Sequence, residues 1–290
     1  MSSLGPLAQL VEHFPFKEGV VGSNPTRLTN KMKTYIISPS ELSYVCDYCT
    51  YLGKNYNLYP GRISAGILQT LDGIEKNHFL GDVKKINNSI KAGEVIDPYN
   101  ITFYSKILKD NKNRPFRIKG KGDAIIIFKD KTYGIIDYKT SKFKQRDGKD
   151  YDKELKEKIK EYIPQLHCYS LLYSNLETDE KFLAEKSMAK TTETIATSVQ
   201  NKIKKIRKIS IKDISLLGLV FIYPEEALKT NNITVKFTHQ FEEVKFDIKN
   251  FMKFLTKYLD MLHSKNFPEP TYNCGTCNYI FEVDRLINKK

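Results

Sequence analysis

The chain has 290 residues, 40% of them hydrophobic, and sets 47 lysines and arginines against 34 acidic residues for a net charge of +13. A chain of this size and apolar content can bury a core of its own, which excludes the disordered classes and points to a globular protein. The excess of cations favours an anionic partner such as DNA or RNA, because neutralising phosphates releases counterions, although a lysine-rich composition alone gives the same sum. No run of about 18 apolar residues is present, so no membrane span is expected, and the first residues lack the basic-then-apolar order of a secretory signal. The expected compartment is the cytoplasm. Of five cysteines, four fall in two Cys-x-x-Cys pairs, which suits metal ligation in a reducing environment better than a disulfide framework.

In chain order, residues 1–31 show neither a helical nor a strand period, and Gly22-Ser23-Asn24-Pro25-Thr26 is turn-like. The strings at 7–13 and 20–26 are similar to peptides produced when a transfer-RNA gene is translated ahead of a true start. A start at Met32 is the favoured reading, and a flexible extension the alternative. Ser38-Pro39-Ser40-Glu41-Leu42 predicts a helix start, with Ser38 as N-cap, Pro39 in the first position and Glu41 closing a capping box. Residues 62–79 carry Ile63, Ile67, Leu71, Ile74 and Phe79 near a 3.6-residue period, a second helix. Residues 84–112 are polar and read as irregular.

Residues 116–119, 124–128 and 132–138 are rich in β-branched and aromatic side chains and predict a three-strand antiparallel meander. Residues 150–176 predict a long helix kinked at Pro164, or two helices meeting there. The lysine- and threonine-rich stretch 186–208 reads as an exposed helix or a mobile insertion. Residues 216–223 form a fully apolar strand, 233–237 a partner, and 247–262 a closing helix. The predicted fold is α/β in the α+β sense: a mixed central sheet flanked by helices, in a single domain over 32–290.

Three residues at the ends of these strands carry chemistry. Asp123 opens one strand and Asp137 ends the next, so antiparallel pairing brings both carboxylates to one edge of the sheet. Carboxylates are hard oxygen donors suited to Mg²⁺ or Mn²⁺, which polarises a phosphate and lowers the pKa of an attacking water. Lys139 lies two residues beyond Asp137, hence on the same strand face, where its ammonium steadies developing negative charge.

Gly120-x-x-Asp123, then Asp137-Tyr138-Lys139-Thr140, then Gln165-x-x-x-Tyr169 resemble the motifs of the PD-(D/E)XK nuclease superfamily, in particular its RecB-like branch with the CRISPR-associated RecB-like exonucleases. The resemblance runs from Ser38 to about Ile280, opening on Ser38-Pro39-Ser40-x-Leu42 and closing on Pro270-x-x-x-Cys274-x-x-Cys277. It implies a restriction-endonuclease-like core, metal held by Asp123 and Asp137, and help from Lys139. Gln165 and Tyr169, four apart on one helical face, are placed to contact the attacking water, Lys139 or the DNA backbone. The branch commonly places a histidine or acid on the first core helix. Here Gln69 stands where a histidine is expected, and Asp72 is the candidate substitute. That departure motivates the alternative to a working nuclease, a weak or inactive nuclease-fold DNA-binding module in a larger complex.

Cys46 and Cys49 near one end and Cys274 and Cys277 near the other complete a tetrahedral set that staples the termini, with Zn²⁺ and an iron–sulfur cluster both compatible with thiolates. Relatives often hold a [4Fe–4S] cluster with cysteines split one plus three. The two-plus-two split here departs from that and leaves the metal open. Cys168 and His167 read as packed helix residues. No phosphate-binding loop or dinucleotide fingerprint is present, so ATP-driven unwinding would come from a helicase or a repair or defence partner. The expected substrate is DNA, single-stranded or bearing an end, with RNA left open.

Overall fold

The computed structural model describes residues 32–43, 46–59, 66–97, 102–140, 151–178, 206, 209–229, 233–271 and 273–287. The elements in chain order are β1 (Tyr35–Ile37), a 3₁₀ turn (Pro39–Leu42), α1 (Asp47–Tyr56), α2 (Gly66–Phe79), β2 (Gly81–Asp82), β3 (Gly93–Ile96), β4 (Phe103–Tyr104), β5 (Leu108–Lys109), β6 (Pro115–Gly120), β7 (Ala124–Phe128) and β8 (Tyr133–Thr140). There follow α3 (Tyr151–Tyr173), β9 (Ile214–Lys229), β10 (Ile233–Val244), α4 (Ile248–His263) and α5 (Gly275–Ile287). Two compact units emerge. One is built from Thr34–Val45 and Arg62–Leu259, the other from Cys46–Gly61 and Asp260–Lys290 with the stretch ending at Lys33. The readings made for residues 1–31, and for 186–208 apart from the buried Ile206, lie outside the described residues.

The larger unit centres on a six-stranded sheet in the order β10-β9-β8-β7-β3-β2, antiparallel throughout except for β8 beside β9. That parallel pair requires a crossover, and α3 lies within it. The strand period of two sorts the side chains by face. Ala124, Ile126, Ile136, Tyr138, Val220 and Ile222 join one buried cluster with Phe79 from the end of α2 and with Val83, Ile86 and Ile90. The alternate residues Ile135, Asp137 and Lys139 belong to the opposite face, and α3 packs on β8 and β9. A central strand buried on both faces explains why β8 reads as a near-continuous apolar run broken by one acid.

Several expectations are corrected. β6 does not pair with β7. It pairs with β1 in parallel and with β4 and β5 antiparallel, in a separate sheet, so the meander is a two-strand hairpin of β7 and β8. The cause is Gly120-Lys121-Gly122, a break that turns the chain between sheets. The stretch 84–112, expected to be irregular, supplies β3, which extends the main sheet through Val95↔Ile126 and Ile96↔Ile125. Ser38 precedes a single 3₁₀ turn and makes no side-chain cap. The Glu41 carboxylate instead accepts a 2.9 Å hydrogen bond from the Tyr258 hydroxyl, so no capping box forms. Residues 151–173 form one helix with Pro164 inside it.

His167, on α3, is buried and wholly engaged. Nδ1 lies 2.8 Å from the Ile163 carbonyl, which can only accept, so Nδ1 carries the proton; Nε2 then accepts the Asp247 amide at 2.8 Å. Asp247 caps α4, taking the Asn250 amide at 3.0 Å, and Phe246 and Phe251 stack against the imidazole. Burial lowers the pKa of His167 against the opposing influence of the Ile163 carbonyl and the Asp247 carboxylate. A depressed folded-state value means that this contribution is complete above the ordinary 6.5 and is lost as the pH falls below it. His167→Gln is therefore expected to melt below the wild type at about pH 7.5, and the gap between the two to narrow by several degrees by about pH 5.5, since groups other than His167 act alike in both proteins. Parallel profiles for the two proteins would exclude this role.

Candidate active site

The register of the β7–β8 hairpin pairs Ala124 with Ile136, and one further step places Asp123 opposite Asp137. Asp123 lies just before β7, where Oδ2 accepts the Tyr138 amide at 3.0 Å. Asp137 is fully buried within β8. Its Oδ1 accepts the Gln165 side-chain amide at 3.0 Å, and Oδ2 lies 2.6 Å from the Lys139 ammonium. That close ion pair is the partner of Oδ2. Lys139 donates to Gln165 Oε1 at 3.1 Å and lies 4.3 Å from the centre of the Tyr162 ring. One glutamine thus holds both functional groups of the Asp-x-Lys pair.

Burial raises the pKa of Asp137 far above the usual carboxylate range; the Lys139 ammonium opposes that rise and the Asp123 carboxylate adds to it. Two carboxylates in one low-dielectric pocket repel, and a divalent cation relieves that repulsion. The buried Asp137 carboxylate, the opposed Asp123 and their hard-oxygen chemistry fit Mg²⁺ or Mn²⁺. Asp123 and Asp137 would hold it.

Tyr169 is buried in α3. Its hydroxyl donates to the Lys121 carbonyl at 2.9 Å, and Tyr173, one turn on, accepts the Gly122 amide at 3.0 Å. The two tyrosines clamp the backbone that leads into Asp123. A Cβ on Gly122 would lie 2.5 Å from the Tyr173 hydroxyl, so the close approach requires glycine. Tyr173 was not singled out from sequence, although its spacing of four from Tyr169 is the signal that finds it.

On the other face of the sheet rim stands α2. Asp72, the expected first-helix ligand, is half-exposed and pairs with Lys76 at 2.8 Å, and Lys76 in turn lies 3.1 Å from Asp123 Oδ1. The side chain of Gln69 lies outside the described residues. The buried acid of this helix is Glu75, whose carboxylate accepts the Thr140 hydroxyl at 3.1 Å. Burial raises its pKa, the Thr140 hydrogen bond opposes this, and the negative charges of Asp72 and Asp123 add to the rise. Burial works against the Lys76 ammonium, but Asp123 and Asp72 outweigh it and hold its pKa above the ordinary value. Sequence reasoning missed both residues because the apolar period placed Ile74 inside, whereas Ile74 is exposed and Asp72, Glu75, Lys76 and Phe79 repeat along the facing side.

In the smaller unit, Cys46 at the start of α1, Cys49 within it, and Cys274 and Cys277 at the start of α5 bring their sulfurs within 4.8 Å of one another. Among the described residues this is the one group of three or more ligating side chains that meets that limit. Tyr48, Leu52 and Phe267 pack around it. Burial pushes Cys49 up, and the neighbouring thiols add to this. Burial also opposes ionisation of Cys46, but hydrogen bonds from the Cys49 amide, the Cys277 thiol and Thr271 prevail and draw it down to about 6. Soft sulfurs at these separations fit Zn²⁺ or an iron–sulfur centre, and binding would displace the remaining thiol protons. Cys168 is buried in α3, as expected of a core residue.

Among the described residues no helix is long and apolar enough to cross a membrane. The chain is similar to a solved structure titled "Crystal structure of SSO0001", with 17% identity, 87% of this chain and 85% of that chain covered, and a TM-score of 0.40. Comparison with curated proteins finds no match. The family model of the PD-(D/E)XK nuclease superfamily matches residues 76–281, a span that takes in β7, β8, α3 and the second cysteine pair. With a mixed sheet flanked by helices and two aspartates, a lysine and a glutamine gathered at its rim, the chain belongs to the PD-(D/E)XK nuclease superfamily.

Proposed function

We propose that this protein is a metal-dependent nuclease that hydrolyses DNA phosphodiester bonds, of the RecB-like branch to which the CRISPR-associated exonucleases belong. The observation that carries the reading is the closed network of Asp137, Lys139 and Gln165 beside Asp123, in which the buried Asp137 carboxylate is held by Gln165 on one oxygen and by the Lys139 ammonium on the other. Bound Mg²⁺ or Mn²⁺ would supply Lewis-acid polarisation of the phosphate and a water of lowered pKa. Asp123 and Asp137 would hold it. Asp72, the further ligand expected from the first helix, pairs with Lys76, and the buried Glu75 accepts the Thr140 hydroxyl. Lys139 points its ammonium at the developing charge on the phosphate, and Gln165 fixes that ammonium relative to Asp137. Tyr169 and Tyr173 position Asp123 through the Lys121–Gly122 backbone.

The net charge of +13 suits a polyanionic substrate. An exonuclease or processing role in repair, recombination or defence in the cytoplasm, with a helicase or other complex supplying unwinding, is the biological setting we infer. The cysteine set would be a structural Zn²⁺ or [4Fe–4S] site.

The test is Mn²⁺-dependent cleavage of end-labelled single- and double-stranded DNA. Lys139→Met is expected to retain the fold and metal binding but to cleave about 10²–10³-fold more slowly, the usual cost of removing one charge-stabilising donor. Undiminished cleavage would remove Lys139 from the reaction. DNA binding without cation-dependent cleavage by the wild type would instead make the protein a nuclease-fold binding module.

A further inference from the structure

Lys76 is paired with Asp123 Oδ1, the oxygen of that carboxylate which the Tyr138 amide leaves unengaged. Its ammonium is 3.1 Å from Asp123 Oδ1, while Oδ2 of the same carboxylate is tied to the Tyr138 amide at 3.0 Å. The lysine side chain is 10% exposed, so this internal cation is held in the pocket rather than draped across it. Its second contact, Asp72 Oδ2 at 2.8 Å, lies one helical turn earlier on the same helix, and that carboxylate is 49% exposed. The ammonium therefore has two docking points within a single side-chain swing, one in the pocket and one at its mouth.

We propose that Lys76 is a built-in counter-ion that neutralises Asp123 in the metal-free protein and yields Oδ1 to an incoming divalent cation by transferring wholly to Asp72. The proposal rests on the reading of Asp123 and Asp137 as the ligands of that cation. A divalent ion and an ammonium cannot share one carboxylate oxygen in a pocket of low dielectric without strong repulsion. Retreat to Asp72 keeps the lysine paired where water screens it. Cation affinity is then lower than the carboxylates alone would give, because each binding event must also displace the lysine. Asp72 serves the site as the lysine's resting place, and Glu75 beside it remains held by Thr140.

The experiment is calorimetric titration of Mn²⁺ into metal-depleted wild type, Lys76→Met, Asp72→Asn and the double variant, with Asp137→Ala as the blank for the proposed site. Lys76→Met is expected to bind Mn²⁺ about tenfold or more tightly than the wild type. Asp72→Asn is expected to bind about threefold or more weakly, since the lysine then has only Asp123 to pair with, and to have little effect once Lys76 is methionine. Unchanged or weaker binding by Lys76→Met overturns the proposal, as does an Asp72→Asn effect of equal size in both backgrounds. If neither wild type nor Lys76→Met binds Mn²⁺ at a site abolished by Asp137→Ala, the ligand reading fails and this inference falls with it. Should Lys76→Met not fold, as judged by circular dichroism, Lys76→Gln is held to the same criteria.

Discussion

Asp137→Asn protein is expected to fold, to melt within a few degrees of the wild type in chelator, and to cleave DNA about 10³-fold more slowly with Mn²⁺. The rate loss follows from the carboxylate's position. Several kcal/mol of charge stabilisation depend on an anionic oxygen in a dry pocket, and each 1.4 kcal/mol is about tenfold in rate. An asparagine keeps an acceptor for the Gln165 amide, so the network is not simply deleted. Two opposing changes set the stability. Lys139 loses its ion-pair partner but keeps Gln165 and the face of Tyr162, while Asp123 loses a like-charged neighbour. Wild type at 100 times its Kd for Mn²⁺ should gain about 2.7 kcal/mol of stability, and the variant at the same concentration none. A variant that still gains that stability, or still cleaves at the wild-type rate, would show that Asp137 is not a ligand.

The second large effect is expected at the cysteines. Cys277→Ser should purify without the metal that the wild type retains. Hydrogen exchange should rise sharply across Asp47–Tyr56 and Gly275–Ile287 while β7 and β8 stay protected. Tyr48, Leu52 and Phe267 pack with the cysteines, and Tyr51 and Tyr56 add ring contacts to Phe267, so the apolar material of the unit is a handful of side chains. Each such burial is worth about 1.5–3 kcal/mol, whereas structural zinc in small peptides contributes on the order of 10–16 kcal/mol. A bound metal, on this arithmetic, would be the main tie within the unit. Elemental analysis measures the loss, and an absorption spectrum of the wild type distinguishes the two candidates: an iron–sulfur centre absorbs broadly near about 400 nm, and zinc is silent there. Equal metal content and equal protection in the variant would assign the fold of this unit to packing alone.

How far the sequence could be read depended on the range of the interaction. Asp137 and Lys139 share a strand and Gln165 lies on a helix that crosses it, so period-two and period-3.6 arguments were enough to gather them at one rim, where the ion pair of 2.6 Å now stands. The Asp123–Asp137 juxtaposition needed only a hairpin. The partition of β6 into a second sheet was hidden, because Phe116 and Ile118 look like any meander strand and the choice of partner was made by β1, about eighty residues away. β3 was hidden by the polar residues around it. Glu75 and Lys76 were hidden for a more general reason: hydrophobic periodicity finds the face of a helix that packs on a core, and the face of α2 that meets the site is charged. Ile74 pointed the search the wrong way, and its exposure of 60% records that.

Helix α3 touches both acids of the rim by different means. Gln165 grips Asp137 by its side chain, and two turns later Tyr173, with Tyr169 between them, grips the main chain ahead of Asp123. The hairpin ladder sets the two acids opposite each other, and α3 braces each side of that ladder from a single helix. A bend in α3 between Gln165 and Tyr173 would therefore disturb the support of both acids at once.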